Sequence, residues 1–79
     1  MNTQEIELQK LPYAMKKKQL IALYLASGMT ERQIREGINA IIADNRNLPP
    51  NRPVYEQQIW NCELMEFVET YGLPKGYKY

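Results

Sequence analysis

Leu20-Ile21-Ala22-Leu23-Tyr24-Leu25-Ala26-Ser27-Gly28-Met29-Thr30-Glu31-Arg32-Gln33-Ile34 reads as one helix, a glycine stop, a threonine cap and the start of a second helix. Good helix formers from Tyr13 lead into this run, so the first helix is expected over about 13–27, with Leu20, Leu23 and Tyr24 on one face and Ala26 packing nearby. Gly28 can take the left-handed conformation that stops a helix. Thr30 and Gln33 have the spacing of a capping box, in which the threonine hydroxyl accepts from one amide and the glutamine reaches back to another. Ile34, Ile38, Ile41 and Ile42 then follow at offsets of four, seven and eight, an apolar stripe that predicts a second helix over about 30–44. Gly37 interrupts it and suggests a close approach by another helix.

Outward from this pair the chain changes character. Ile6, Leu8 and Leu11 alternate with polar residues, as in an extended arm or short strand over 1–12, and Pro12 ends it. Asn45 to Pro53 holds three prolines within five residues and reads as a stiff, exposed loop. Pro53 suits the first turn of a third helix over about 54–71, whose apolar surface would include Tyr55, Ile59, Trp60, Cys62, Leu64, Phe67 and Tyr71. Gly72 and Pro74 stop it, leaving an unfolded or docked tail over 72–79. The expected fold is all-α: a single domain over 1–79 with an N-terminal arm (1–12), a three-helix core (13–71) and a C-terminal tail (72–79).

Seventy-nine residues with 44% apolar and 24% charged side chains fit one small globular domain, and no apolar run reaches the roughly 20 residues a membrane span needs. The N-terminal residues lack the pattern of a secretory signal, so a cytoplasmic location is expected. The chain has no histidine and a single cysteine, Cys62, read as a buried structural thiol. That composition argues against zinc sites and histidine-dependent hydrolysis; no enzyme, cofactor, metal or small-molecule substrate is expected. Glu63 and Glu66 read as a solvated helical face. Net charge is only +1, but Lys10, Lys16, Lys17 and Lys18 come early, Arg32, Arg35, Arg46 and Arg52 in the middle, and glutamates late. A chain so divided could present a basic face to phosphates or an acidic face to a basic protein.

The segment Ala26 to Ile34 resembles the helix-turn-helix domains of resolvases, sigma-like factors and small terminase subunits. In many of those domains this stretch is the first motif helix, whereas here a proline loop stands where the recognition helix would follow. If the helix after Thr30 is itself the recognition helix, Glu31, Arg32, Arg35 and Asn39 would face duplex DNA, with Lys16, Lys17 and Lys18 on phosphates. Against that, Glu31 with Arg35 and Arg32 with Glu36 have the spacing of intrahelical ion pairs on a solvated face.

The other reading makes the helical pair a scaffold and places function in the parts a minimal fold does not need. Ile6 and Leu8 in the arm, Leu48 and Arg52 in the proline loop, and Tyr77 and Tyr79 in the tail are then the candidate protein-binding residues. Tyrosine and arginine bury large area at interfaces, and a stiff loop loses little entropy on binding. Trp60, Phe67 and Ile59 read as core. A single domain of this kind, around Ala26 to Ile34 and Pro49 to Trp60, looks like the small phage-encoded proteins that bind and regulate host RNA polymerase. The resemblance implies a non-enzymatic transcription regulator whose partner is a protein of the transcription apparatus, with sequence-specific DNA binding as the alternative.

Overall fold

A computed structural model describes residues 8–79. Its elements are β1 (Gln9–Lys10), β2 (Met15–Lys16), α1 (Lys17–Leu25), α2 (Glu31–Asn45), β3 (Gln58–Ile59), α3 (Asn61–Tyr71) and β4 (Tyr77–Lys78). The three expected helices are present, but the fold is not purely helical. Two short strand pairs tie the loops down: β1 with β4, parallel, and β2 with β3, antiparallel.

The region around α2 follows its sequence. Thr30 Oγ1 accepts from the Gln33 amide and Gln33 Oε1 accepts from the Thr30 amide, each at about 3 Å, so the capping box is complete. Ile34, Ile38, Ile41 and Ile42 are all buried. Gly28, with φ +99°, reverses the chain between α1 and α2. Gly37 lies against the ring of Tyr71 on α3: a Cβ there would sit 2.7 Å from the tyrosine hydroxyl. Beyond α2, Asn47 takes φ +53°, the Asn47 amide donates to the Asp44 carbonyl, and the Leu48 amide donates to the Ala43 carbonyl. This is a Schellman cap, with Leu48 folded back against the core as its apolar contact.

Two helices are shorter than expected. Residues 13–16 are not helical: Met15 and Lys16 pair with Ile59 and Gln58, and the Lys17 amide donates to the Gln57 carbonyl. Pro53 does not open α3. The chain has no regular secondary structure from Pro53 to Gln57, and Gln58–Ile59 fill the strand register opposite Met15–Lys16, burying Met15 and Ile59 together. Helix α3 instead begins after Trp60, where Glu63 Oε1 accepts from the Trp60 amide. It ends at Gly72, φ +89°.

The tail is docked. Pro74 is buried, the Lys75 amide donates to Ser27 Oγ, and β4 lies in register on β1 with Gln9 opposite Tyr77. The core gathers Leu20 and Tyr24 of α1, the α2 isoleucines, and Leu64, Phe67 and Val68 of α3. Tyr24 and Phe67 meet edge to face, with centroids 4.8 Å apart. The Tyr24 hydroxyl donates to the Gly72 carbonyl at 2.6 Å, so α1 grips the end of α3. Burial, and then the nearby Tyr79 phenol, push the Tyr24 pKa to about 12.

Candidate functional site

Three surfaces carry the candidate residues, and the first is the outer face of α2. Arg32 Nε contacts Glu36 at 3.0 Å, and Arg35 contacts Glu31, both as (i, i+4) pairs in solvent. These are the intrahelical pairs that the spacing suggested. Asn39 is half-buried, and its Oδ1 is a buried atom with no hydrogen-bond partner among the described residues. A base-reading asparagine has to stand clear of its own protein, and this one does not.

Second is the basic seam between α1 and α2. Lys16 and Lys18 are exposed, but Lys17, in the first turn of α1, is buried. Its ammonium donates to the Val54 carbonyl across 3.5 Å. Burial pushes the Lys17 pKa below the ordinary lysine value, and Arg35 and Arg46 push it the same way against Glu56. Arg35, Asn39, Ile42 and Arg46 follow one another at spacings of four, three and four, one stripe of α2 and its cap. Lys17 is therefore turned inward rather than exposed on the helix surface like Lys16 and Lys18.

The third surface joins the two ends of the chain. Pairing of β1 with β4, extended by the Leu11 amide donating to the Lys78 carbonyl, brings the arm and the tail together. Between them and the start of α3 is a cleft of about 420 Å³ lined by Leu11, Pro12, Tyr13, Asn61, Met65 and Tyr79, with Lys10 at its rim. Asn61 Nδ2 donates to the Tyr13 carbonyl at 2.7 Å and fixes the arm across the helix. Tyr13 and Tyr79 are 80% and 65% exposed, and Leu8, just before β1, is exposed as well. Large aromatic rings held open to solvent around an apolar cleft are the composition of an interface core.

The six expected protein-binding residues divide accordingly. Leu8 and Tyr79 belong to the exposed arm and tail; Ile6 lies outside the described residues. Tyr77 is half-buried in β4 and packs on the core, as does Leu48 in the cap of α2. Arg52 is half-buried and held by Glu56 through Nη2 at 2.8 Å. Tyr13 and Met65 complete the cleft. The sequence neighbours of Tyr13 predict a helix there, but the β1–β4 pairing and the Asn61 bond to its carbonyl bring Tyr13 into one cleft with the tail.

Other expectations fail in α3. Cys62 is exposed rather than buried. Trp60, read as core, is half exposed because it precedes the helix, and Arg46 stacks over its ring at 3.8 Å. Glu63, read as a solvated glutamate, is completely buried. Arg46 grips both its oxygens at 2.8 Å, while Asn45 and the Trp60 amide supply one further donor each. Burial alone would raise the Glu63 pKa, but the Arg46, Trp60 and Asn45 donors outweigh it and hold the carboxyl below its ordinary range. Glu63 has no spare oxygen lone pair directed at a cleft, so it acts as a structural clamp joining the end of α2 to the start of α3.

No helix among the described residues is long and apolar enough to cross a membrane. The chain matches no protein-family model, no curated protein and no solved structure.

Proposed function

We propose that this chain is a small non-enzymatic binding protein that regulates transcription by engaging a protein of the transcription apparatus, such as bacterial RNA polymerase. The observation that carries the binding reading is the cleft where arm and tail meet, with Tyr13 and Tyr79 open to solvent around it. A fold held by three helices has no need of these rings. The segments flanking them are nevertheless fixed: Tyr79 follows β4 in its pairing with β1, and the Tyr13 carbonyl accepts from Asn61, so little conformational entropy remains to be lost on docking. The assignment to transcription rests on the resemblance of the Ala26–Ile34 segment to helix-turn-helix domains.

Affinity capture from nuclease-treated bacterial lysate tests the reading. Polymerase subunits should be retained by the wild-type chain and lost from a Tyr13→Ser/Tyr79→Ser variant whose helical circular dichroism is unchanged. Recovery that disappears with nuclease, or that survives the double substitution, contradicts it. The first of these outcomes would return duplex DNA to the head of the list.

A further inference from the structure

The buried lysine of the α1–α2 seam is poorly compensated by its neighbours among the described residues. An ammonium has three protons to donate, and among the described residues Lys17 places one, on the Val54 carbonyl at the long distance of 3.5 Å. The charges acting on it are mostly of its own sign: Arg35 and Arg46 oppose its protonation, and Glu56, the one carboxylate that favours it, is already engaged by Arg52. Buried charges are normally paired.

This lysine forms part of the wall of an open cleft of about 340 Å³ whose other walls are Lys18, Ile21, Glu31, Arg35 and Gln57. Three cations and one carboxylate line it, a formal local charge of +2. The carboxylate, Glu31, is exposed and paired with Arg35 at the surface, so an incoming anion can displace it without leaving a buried charge. The start of α1 adds to the attraction. Lys16 precedes the helix and has no side-chain acceptor to cap its first amides, while Gln19 Oε1 serves only the Lys16 amide.

We propose that this cleft binds a phosphate group, held by Lys17 and Lys18 on one side and by the Arg35 guanidinium, released from Glu31, on the other. A dianionic tetrahedral oxyanion matches the local charge of the walls and offers acceptors in the several directions from which those donors approach. None of these residues lines the arm–tail cleft, so the proposal stands or falls apart from the protein-binding reading.

The test is an NMR titration of the full chain with inorganic phosphate at constant ionic strength, following the side-chain signals of Lys17, Lys18 and Arg35. Saturable shifts at all three are expected, with a dissociation constant of about 1 mM. Arg35→Gln, at a half-exposed position that the fold does not require, should weaken binding about tenfold, and Lys17→Met at least as much. Glu31→Gln should strengthen it several-fold by freeing Arg35, an effect that a purely structural lysine cannot produce. A parallel titration with a short duplex oligonucleotide distinguishes the source of the phosphate. Shifts with phosphate alone assign a free phosphate group, and shifts at the same three residues with both probes assign a nucleic-acid backbone. No saturable shift with either probe, or binding that Arg35→Gln and Glu31→Gln leave unchanged, overturns the proposal.

Discussion

Arginine meets glutamate in unlike surroundings in this protein, and two of them differ most. On the outer face of α2, Arg32–Glu36 and Arg35–Glu31 pair within one helix and in solvent. Between α2 and α3, Arg46 and Glu63 pair across seventeen residues of sequence with the carboxylate completely buried. The chemistry is the same and the consequences are not. In water an ion pair exchanges one set of good hydrogen bonds for another, and exposed (i, i+4) pairs contribute about 0.3–0.5 kcal/mol. In the interior neither partner can return to water without unfolding, so losing one strands the other. The buried pair need not make the fold more stable than an apolar replacement would, but it dictates which ends of α2 and α3 meet.

The largest effect is expected from breaking the buried pair on one side. Glu63→Leu leaves Arg46, Asn45 and the Trp60 amide without their acceptor, and urea unfolding should show a loss of about 3–5 kcal/mol. Adding Arg46→Met to that variant should recover much of the loss, since two apolar side chains can pack where two charges were. A double variant no better than Glu63→Leu would mean that the arginine, by its stacking on Trp60, matters more than the pair.

Acid should separate the two kinds of pair next. The Glu63 pKa is lowered in the folded state, so its contribution is fully present above the unfolded glutamate value of about 4.3. It is lost as pH falls through the lower folded value. Midpoints of urea unfolding should fall between pH 5 and 3 in the wild type, and less steeply in Glu63→Leu/Arg46→Met.

Removing the α2 cap is expected to be milder. Thr30→Ala deletes one acceptor for the Gln33 amide and should lower stability by about 1 kcal/mol, read from the same unfolding curves. Smallest of all is Arg32→Ala, expected within about 0.5 kcal/mol of wild type; a loss of several times that would place Arg32 in an interaction beyond its pair with Glu36.

The same contrast explains what could be read in advance. Helix α2 was legible because all its signals are local: the Thr30–Gln33 box, the isoleucine stripe and the (i, i+4) pairs each span only a few residues. The errors lie where distant segments decide. Nothing near Pro53 announces that Gln58–Ile59 will pair with Met15–Lys16, and that pairing converts the expected start of α3 into a strand and exposes Tyr55. Glu63 sits between apolar residues on a helix, and its burial depends on Arg46 arriving from another element. Lys17, one of three consecutive lysines, looked interchangeable with its neighbours until the fold turned it inward. For the candidate site, Leu8 and Tyr79 were legible as large apolar groups near the ends of the chain. Tyr13 and Met65 join them only through the β1–β4 register and the bond from Asn61 to the Tyr13 carbonyl.

The central claim is that the meeting place of arm and tail binds a protein partner while the outer face of α2 remains solvated. Photo-crosslinking tests it most directly, with a benzophenone side chain placed in turn at Tyr79 and at Arg32 and each chain irradiated in nuclease-treated bacterial lysate. A discrete protein adduct that contains a subunit of the transcription apparatus is expected from position 79, and none from position 32. Adducts from position 32 alone, or nucleic-acid adducts from position 32 that appear only when nuclease is omitted, would contradict it.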